Sequence, residues 1–338
     1  MTKSVLVLGA GGFIGNHLVN YLKELGYYVT GVDLVHPSYN ESVADSFILG
    51  DLRQQIFVEE IFSKVYEEVY QLAADMGGAS YIFSGKNDAD IITNSSSINI
   101  NVLNSIKKFG RGKVFYASSA CVYPVYNQKN ATRPNCSEES VYPANPDSDY
   151  GWEKLFSERL YLAYKRNYGL DIKIARLHNI FGPIVVWNNG KEKAPAAICR
   201  KVAQAKEGDI IEIWGPGTQT RSFLFIDECL KGIRRLMDST EAGPLNIGSE
   251  EMITINDLAR QIIKISEKNL KIKNIEGPVG VMHRNSDNRL IREKLNWEPK
   301  SKLNDGLKIT YDWISKEVTK EQNDYHKNDI FCKHQLVQ

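Results

Sequence analysis

Ser4-Val-Leu-Val-Leu8 runs without a break into Gly9-Ala-Gly-Gly-Phe-Ile-Gly15, and the reading of this stretch decides the fold. The first five residues are a short apolar, β-branched run, the composition of a parallel strand buried on both faces. An amphipathic helix is predicted over about residues 14–25, and a second strand, Tyr28-Val-Thr-Gly-Val32, ends in Asp33. Strand, glycine-rich turn, helix, strand and acid in that order form a dinucleotide fingerprint. Gly9, Gly12 and Gly15 let the backbone close on a pyrophosphate, which rests on the helix start at Phe13 and Ile14. An acid about twenty residues past the glycines is placed to accept hydrogen bonds from a ribose diol, which favours NAD over NADP. The alternative, a tight turn with an unrelated Asp, leaves the register of all five features to chance.

Working outward, the first half of the chain alternates strand and helix. Strands are predicted at 46–51, 68–74, a run ending at Ser118, and 171–176; helices at 59–62, 91–109 and 150–167. This alternation predicts an α/β, doubly wound parallel sheet of the Rossmann type with a smaller C-terminal substrate-binding lobe. The boundaries read as 1–176 for the NAD-binding domain, with a return segment at about 224–248, and 177–223 plus 249–318 for the second lobe. Residues 124–149, rich in Pro, Asn and Ser, read as an ordered loop. Residues 182–222, with Gly, Pro, Trp and charge, read as a binding segment rather than a sheet layer. From Thr319 the chain turns polar and aperiodic, so 319–338 is expected to be a loose tail.

Chemistry enters at Tyr150-Gly-Trp-Glu-Lys154, which follows Val114-Phe-Tyr-Ala-Ser-Ser-Ala-Cys-Val-Tyr123. Tyr150 and Lys154 stand one helical turn apart and share a face. The strand before them stops in the hydroxyl pair Ser118 and Ser119. A strand-end Ser beside a Tyr/Lys pair can move a proton on and off a sugar alcohol while a nicotinamide exchanges hydride. The Lys charge is expected to lower the Tyr pKa. Tyr and Lys at this spacing also occur by chance on many helices, so the motif gains its weight from the fingerprint at the N-terminus.

Composition narrows the class. The 338 residues carry 42 basic and 41 acidic side chains, a net charge of +1, which speaks against a nucleic-acid footprint or a polybasic membrane patch. No apolar run approaches membrane-spanning length, and no secretory leader precedes the first strand. The five cysteines, at 121, 136, 199, 229 and 332, lack paired metal spacing, so no metal is expected. Together these features predict a cytoplasmic enzyme with reduced thiols. Apolar and aromatic positions on the 91–109 and 150–167 helices, including Phe156, Leu160, Tyr161 and Tyr164, exceed what one sheet face needs and predict a homodimer built on those helices.

Longer strings carry a resemblance. Ala74-Asp-Met-Gly-Gly78, Tyr116-Ala-Ser-Ser-Ala-Cys-Val-Tyr-Pro124, Leu177-His-Asn-Ile-Phe-Gly-Pro183, Glu192-Lys-Ala-Pro-Ala-Ala197, Gln219-Thr-Arg-Ser-Phe223 and Arg284-Asn-Ser-Asp-Asn288 resemble the extended short-chain dehydrogenase/reductase superfamily. Within it they are similar to the NAD-dependent nucleotide-sugar epimerases, most of all the GDP-mannose 3,5-epimerase branch. The resemblance spans Gly9 to about Lys316 and implies bound NAD and a GDP-sugar substrate. By the same resemblance Tyr150, Lys154 and Ser119 serve transient C4 oxidation, and Cys121 and Lys193 exchange protons at C3 and C5. It implies cofactor contacts at Asp51, Leu52 and Ala73 as well as the fingerprint. Residue types in the matching strings imply substrate contacts at Met76, Gly77, Asn179, Trp214, Gln219, Arg221 and Arg284.

Bland readings stand beside these. Cys121 as a small buried hydrophobe, Lys193 as part of a solvated charged loop, and Trp214 or Phe223 as second-lobe core are all compatible with composition. His178 reads as a satisfied core histidine, and Asp227 and Glu228 as acids complementing a helix dipole. A 4,6-dehydratase would carry an Asp-Glu pair where Ala120 and Cys121 stand. A 4-epimerase or C4 dehydrogenase would leave Cys121 and Lys193 idle, and a non-catalytic NAD-binding regulator would not need Tyr150 and Lys154. Met282 stands where the family pattern carries Arg, which leaves the exact sugar and the number of inverted centres open.

Overall fold

Alternate side chains of the first strand, β1 (Ser4–Leu8), enter two different cores. Val5 and Val7 pack into one cluster and Leu6 and Leu8 into another, all fully buried. That is the two-residue period of a strand with both faces covered, and each such side chain contributes roughly 1.5–3 kcal/mol by burial. The computed structural model describes residues 2–110, 112–131 and 134–335. After β1 come α1 (Phe13–Glu24), β2 (Tyr28–Asp33), β3 (Ser46–Leu49), α2 (Gln55–Phe62), β4 (Glu68–Gln71), α3 (Ala79–Ile82), α4 (Asp88–Phe109), β5 (Lys113–Ser119), α5 (Asp149–Tyr168) and β6 (Ile172–Leu177). The second half adds β7 (Ile180–Phe181), α6 (Ala194–Gln204), β8 (Ile210–Trp214), β9 (Thr220–Ser222), β10 (Leu224–Phe225), α7 (Ile226–Asp238), β11 (Leu245–Ile247), β12 (Met252–Thr254), α8 (Ile255–Ser266), β13 (Lys271–Ile275), α9 (Arg289–Leu295) and α10 (Leu303–Gln335).

Seven strands form one parallel sheet in the order β11-β6-β5-β4-β1-β2-β3. Helices α1 and α7 cover one face and α2, α4 and α5 the other, the doubly wound arrangement expected from the sequence. The order reverses between β1 and β4, so the crevice for ligands opens beyond the carboxyl ends of the strands there. The turn after β1 is tight enough to require glycine. Gly9 has φ +87°, and a Cβ on Gly15 would lie 1.9 Å from the Gly9 carbonyl oxygen.

The segment 182–222 differs from its reading as a stretch outside any sheet. It contains α6 and two short strands: β8 pairs in parallel with β13, and β9 pairs antiparallel with β12. Strands of three to five residues whose partners lie far along the chain leave no periodic signal to read. The polar stretch from Thr319, expected to be loose, continues α10 to Gln335. Neither Pro nor Gly interrupts it, so polarity alone does not end the helix. Its last three residues, 336–338, lie outside the described residues.

One buried ion pair fixes the catalytic helix on the sheet. Arg176 on β6 donates to both oxygens of Glu158 on α5, at 2.9 and 2.8 Å, and both residues are about 3% exposed. Ser118 at the end of β5 donates to the same carboxylate at 2.5 Å. The remaining guanidinium nitrogen donates to the Tyr123 hydroxyl and the Glu138 carbonyl, at 3.2 and 2.9 Å. Arg176→Met, which leaves the Glu158 carboxylate buried without its cation, is expected to lower stability by about 3–5 kcal/mol, read as a reduced urea midpoint at unchanged slope.

Candidate active site

β5 delivers the chain to the site and Ser119 turns it. The Ser119 hydroxyl accepts the N–H of Cys121 at 3.2 Å, which starts the 3₁₀ turn Ala120–Val122. The first turn of α5, capped by Ser148, lies directly against that turn. A Cβ at Gly151 would stand 2.3 Å from the Cys121 carbonyl oxygen, so only glycine lets Tyr150 and Cys121 come this close. Tyr150, Ser119 and Cys121 line one cleft of about 410 Å³.

The electrostatics of Tyr150 correct an expectation. Burial pushes its phenol well above the ordinary value, and a negative charge on Cys121 pushes in the same direction, against a hydrogen bond from Ser119. Lys154 does not reverse this. Its ammonium donates to the Ala117 carbonyl at 3.1 Å and stands 5.7 Å from the centre of the Tyr150 ring and 5.1 Å from that of Tyr116. It therefore faces ring surfaces rather than the phenolic oxygen. Burial lowers the Lys154 pKa, and the carboxylates of Glu153 and Glu158 act against that.

Lys193 forms the N-cap position of α6, with Pro195 in the first turn, and lines the same cleft. Burial lowers its pKa, while Cys121 and Cys229 oppose the shift. Arg284 is 5% exposed and donates to the Cys121 sulfur at 3.1 Å and to Asp147 at 3.0 Å. Burial disfavours its charge, but Cys121 and Asp147 more than compensate and hold its pKa above the usual range.

The remaining residues read as substrate contacts also line this cleft: Met76 and Gly77 after β4, Asn179 after β6, and Trp214, Gln219 and Arg221 from the second lobe. Arg221 takes carbonyl oxygens as partners, Thr220 and Val279 at 2.8 Å and Val281 at 2.7 Å. Burial and the neighbouring Arg284 lower its pKa to about 10, which leaves it a cation at neutral pH with no carboxylate among these bonds. Gln219 donates to the Trp214 carbonyl at 2.9 Å, and its buried side-chain oxygen has no partner. Trp214 is 40% exposed and so is not core, whereas Phe223 is buried in the core and still touches the cleft. Asn179 has φ 44° and donates to the Ser222 carbonyl at 2.9 Å.

His178 is only half satisfied. Its Nε2 meets Asn246 at 2.8 Å, but Nδ1 is buried without a partner, and burial drives its pKa down to about 3. The Met282 side chain is 38% exposed, and its carbonyl accepts the Thr220 N–H at 2.9 Å. Asp147 was missed by sequence reasoning. Its one signal was a place three residues before Tyr150, in a loop rich in turn formers.

The dinucleotide turn fits its cofactor. No side chain caps α1, whose N-cap is Gly12, so the first N–H groups at Phe13 and Ile14 face an incoming anion. Asp33 accepts the N–H of Gly11 at 2.9 Å and of Val35 at 3.2 Å, which aims its carboxylate along the turn with lone pairs to spare. Leu52 is buried in the cluster that holds Leu8 and Val32, and the Ala73 nitrogen would lie 2.8 Å from a Cβ on Gly9, so Ala73 backs the turn. The Asp51 carboxylate is held by Arg53 at 2.7 Å, whose hydrogen bonds lower its pKa. Among the described residues no group of three or more His, Cys, Asp or Glu could hold a metal ion.

Residues 5–248 match the model of the NAD dependent epimerase/dehydratase family. The chain is 44% identical to the GDP-mannose 3,5-epimerase of Arabidopsis thaliana, over 94% of the chain and 84% of that protein. It is 30% identical to UDP-glucuronic acid decarboxylase 6 of the same plant, over 90% and 87%. A solved UDP-glucuronic acid 4-epimerase from Bacillus cereus, in complex with UDP-glucuronic acid and NAD, superposes with a TM-score of 0.78 at 27% identity, over 93% of this chain and 99% of that one.

Removal of the acid tests the cofactor reading. Asp33→Ser is expected to improve NADP binding relative to NAD by about tenfold or more, because the carboxylate repels a 2′-phosphate. Fluorescence titration of both dinucleotides reads the ratio, and an unchanged preference for NAD removes Asp33 from the role.

Proposed function

The chain belongs to the NAD dependent epimerase/dehydratase family, an enzyme family with NAD as its cofactor, and we propose that this member is a GDP-mannose 3,5-epimerase. The observation that carries the reading is the meeting of Cys121 and Lys193 with Tyr150 in one cleft, which supplies two proton-exchange groups beyond what a C4 oxidation needs. A 4-epimerase has no work for them. The uncapped start of α1 and Asp33 would hold NAD, which would supply hydride acceptor and donor chemistry at C4.

Every other step belongs to side chains of this chain. Arg221 and the Gln219 side-chain oxygen hold the nucleotide side of the substrate, with Trp214 as a flat surface for the base. Tyr150 takes the C4 hydroxyl proton, and Ser119 hydrogen-bonds the C4 oxygen. The ketone so formed makes the C3 and C5 hydrogens acidic. Cys121 removes a proton from one face of such a carbon, and the electron pair moves onto the ketone oxygen. Lys193 delivers a proton to the other face, and the carbon is inverted. The thiol is then protonated and the amine neutral; because the C3 and C5 hydrogens of a mannopyranose lie on one face, both groups exchange protons with solvent before they invert the second carbon in the same sense. Because a negative Cys121 opposes a negative Tyr150, the thiolate is least opposed once Tyr150 has become neutral by taking the C4 proton.

The reading includes a cytoplasmic homodimer. Four described cysteines are free, which suits a reducing compartment. Ile92 and Ile100 on α4 and Trp152 and Phe156 on α5 are exposed, and a second copy would cover them. Tyr161, assigned to that face from sequence, instead stacks on Tyr116 at 4.3 Å and is core; Leu160 and Tyr164 pack partly against the same core. Sedimentation is expected to give a dimer at micromolar concentration, and a Trp152→Glu/Phe156→Glu double variant a monomer.

The reaction itself is tested with GDP-mannose in heavy water, reading deuterium at each ring carbon by NMR. Wild type is expected to incorporate label at C3 and C5. Tyr150→Phe is expected to stop turnover with NAD binding kept. Cys121→Ser and Lys193→Ala are expected to cut incorporation by about a hundredfold or more while C4 oxidation persists. Full exchange in both of these variants reassigns the enzyme to C4 epimerisation or dehydrogenation.

A further inference from the structure

We propose that Asp147 is a positioning residue that holds Arg284 against Cys121 and offsets its charge, so that the sulfur stays basic enough to take a proton from carbon. The inference rests on the proton-exchange role assigned to Cys121. Its basis is the charge census around that sulfur. Lys154 and Tyr150 reach it from α5, Lys193 from the start of α6, Arg221 from β9, and Arg284 from the segment before α9. Four of these five groups are cations, and among the described residues only Arg284 is in hydrogen-bond contact with the sulfur. Left unbalanced, this field stabilises the thiolate and so makes it a weaker base toward a carbon acid.

Asp147 is the carboxylate placed against that field. Its Oδ2 accepts from Arg284 Nη2 at 3.0 Å, and both side chains are 6% exposed. Arg284 Nη1 is then left to the sulfur at 3.1 Å, while Nε is taken by Gln128. The guanidinium is thereby pinned on three sides with its plane fixed, which a lone surface arginine is not. Glu153, by contrast, spends one oxygen on Asn99 and Ser157 and acts on Tyr150 and Lys154. Glu192 is held by Arg200 at 2.8 Å.

The test reads the thiol without any sugar. NAD-loaded wild type, Asp147→Asn, Asp147→Ser and Asp147→Glu are alkylated with iodoacetamide across pH 5–10, and the Cys121 peptide is quantified by mass spectrometry. Asn keeps a hydrogen-bond acceptor and removes the charge, so the pH of half-maximal rate is expected to fall by about one unit, with Ser moving the same way. Glu retains the charge and is expected to stay near wild type. Retention of NAD identifies the folded variants. In turnover, Asn is expected to lower kcat about tenfold at neutral pH with KM within about twofold, since proton removal by the weaker base and not binding is impaired. A half-rate pH that stays put in Asn and Ser, or rises towards that of a free thiol, overturns the proposal. So does a Glu variant that moves as Asn does. If wild type incorporates no deuterium from heavy water at C3 or C5, the functional reading fails, and the alkylation result still decides whether Asp147 sets the ionisation of Cys121.

Discussion

The geometry of the site depends on a single buried guanidinium, that of Arg176. Its partners come from three places: Glu158 on α5, Tyr123 and Glu138 in the loop beyond β5, and, through Tyr123, Asn246 on the last sheet strand at 2.7 Å. Ser118 shares Glu158, so the end of β5 and the middle of α5 are tied to the same ion pair. Tyr150 and Lys154 lie two turns and one turn before Glu158, and Ser119 lies one residue after Ser118. The pair therefore sets the distance between the proton acceptor and the hydroxyl that aligns it. A buried ion pair gives up much of its attraction to desolvation, so its effect here is less a gain in stability than a choice of one packing for helix, strand and loop.

With that frame fixed, the cleft is a place of unequal charge. Cations come from α5, the start of α6, β9 and the segment before α9, and the one in contact with the sulfur, Arg284, is itself bound to the Asp147 carboxylate. Such a field suits a nucleoside diphosphate at one end, through Arg221, and acidic carbon protons at the other. It also limits Tyr150. Burial raises the phenol and a neighbouring thiolate raises it further, so the two bases of the cleft cannot be charged together without cost.

Much of this was legible in the chain. The turn from Gly9 to Gly15 was readable because close backbone packing permits no side chain there, and the central strands because burial on both faces leaves continuous apolar runs. Lys193 could be placed at a helix start because small residues and Pro195 follow it. Other features were not readable. The partner of Cys121 lies 163 residues away and that of Arg284 on its other side 137 residues away, separations that no local pattern encodes. Tyr161 was taken for surface because α5 carries aromatic residues on more than one face, and only the stack on Tyr116 shows which are internal. The Tyr150 shift was misjudged because a sequence gives the spacing of a charge along a helix but not the depth at which the pair is buried.

The long reach from Cys121 to Arg284 has a consequence for the life of the chain before it is complete. A ribosome that has released the first 176 residues has already made the glycine turn, six of the seven sheet strands and the Tyr/Lys helix. What it has not made is Lys193, Arg221 or Arg284. In that nascent state Cys121 has neither Arg284 at its sulfur nor Lys193 in the cleft beside it. The surroundings of this sulfur are thus completed last, at nearly the same moment as the walls of the cleft.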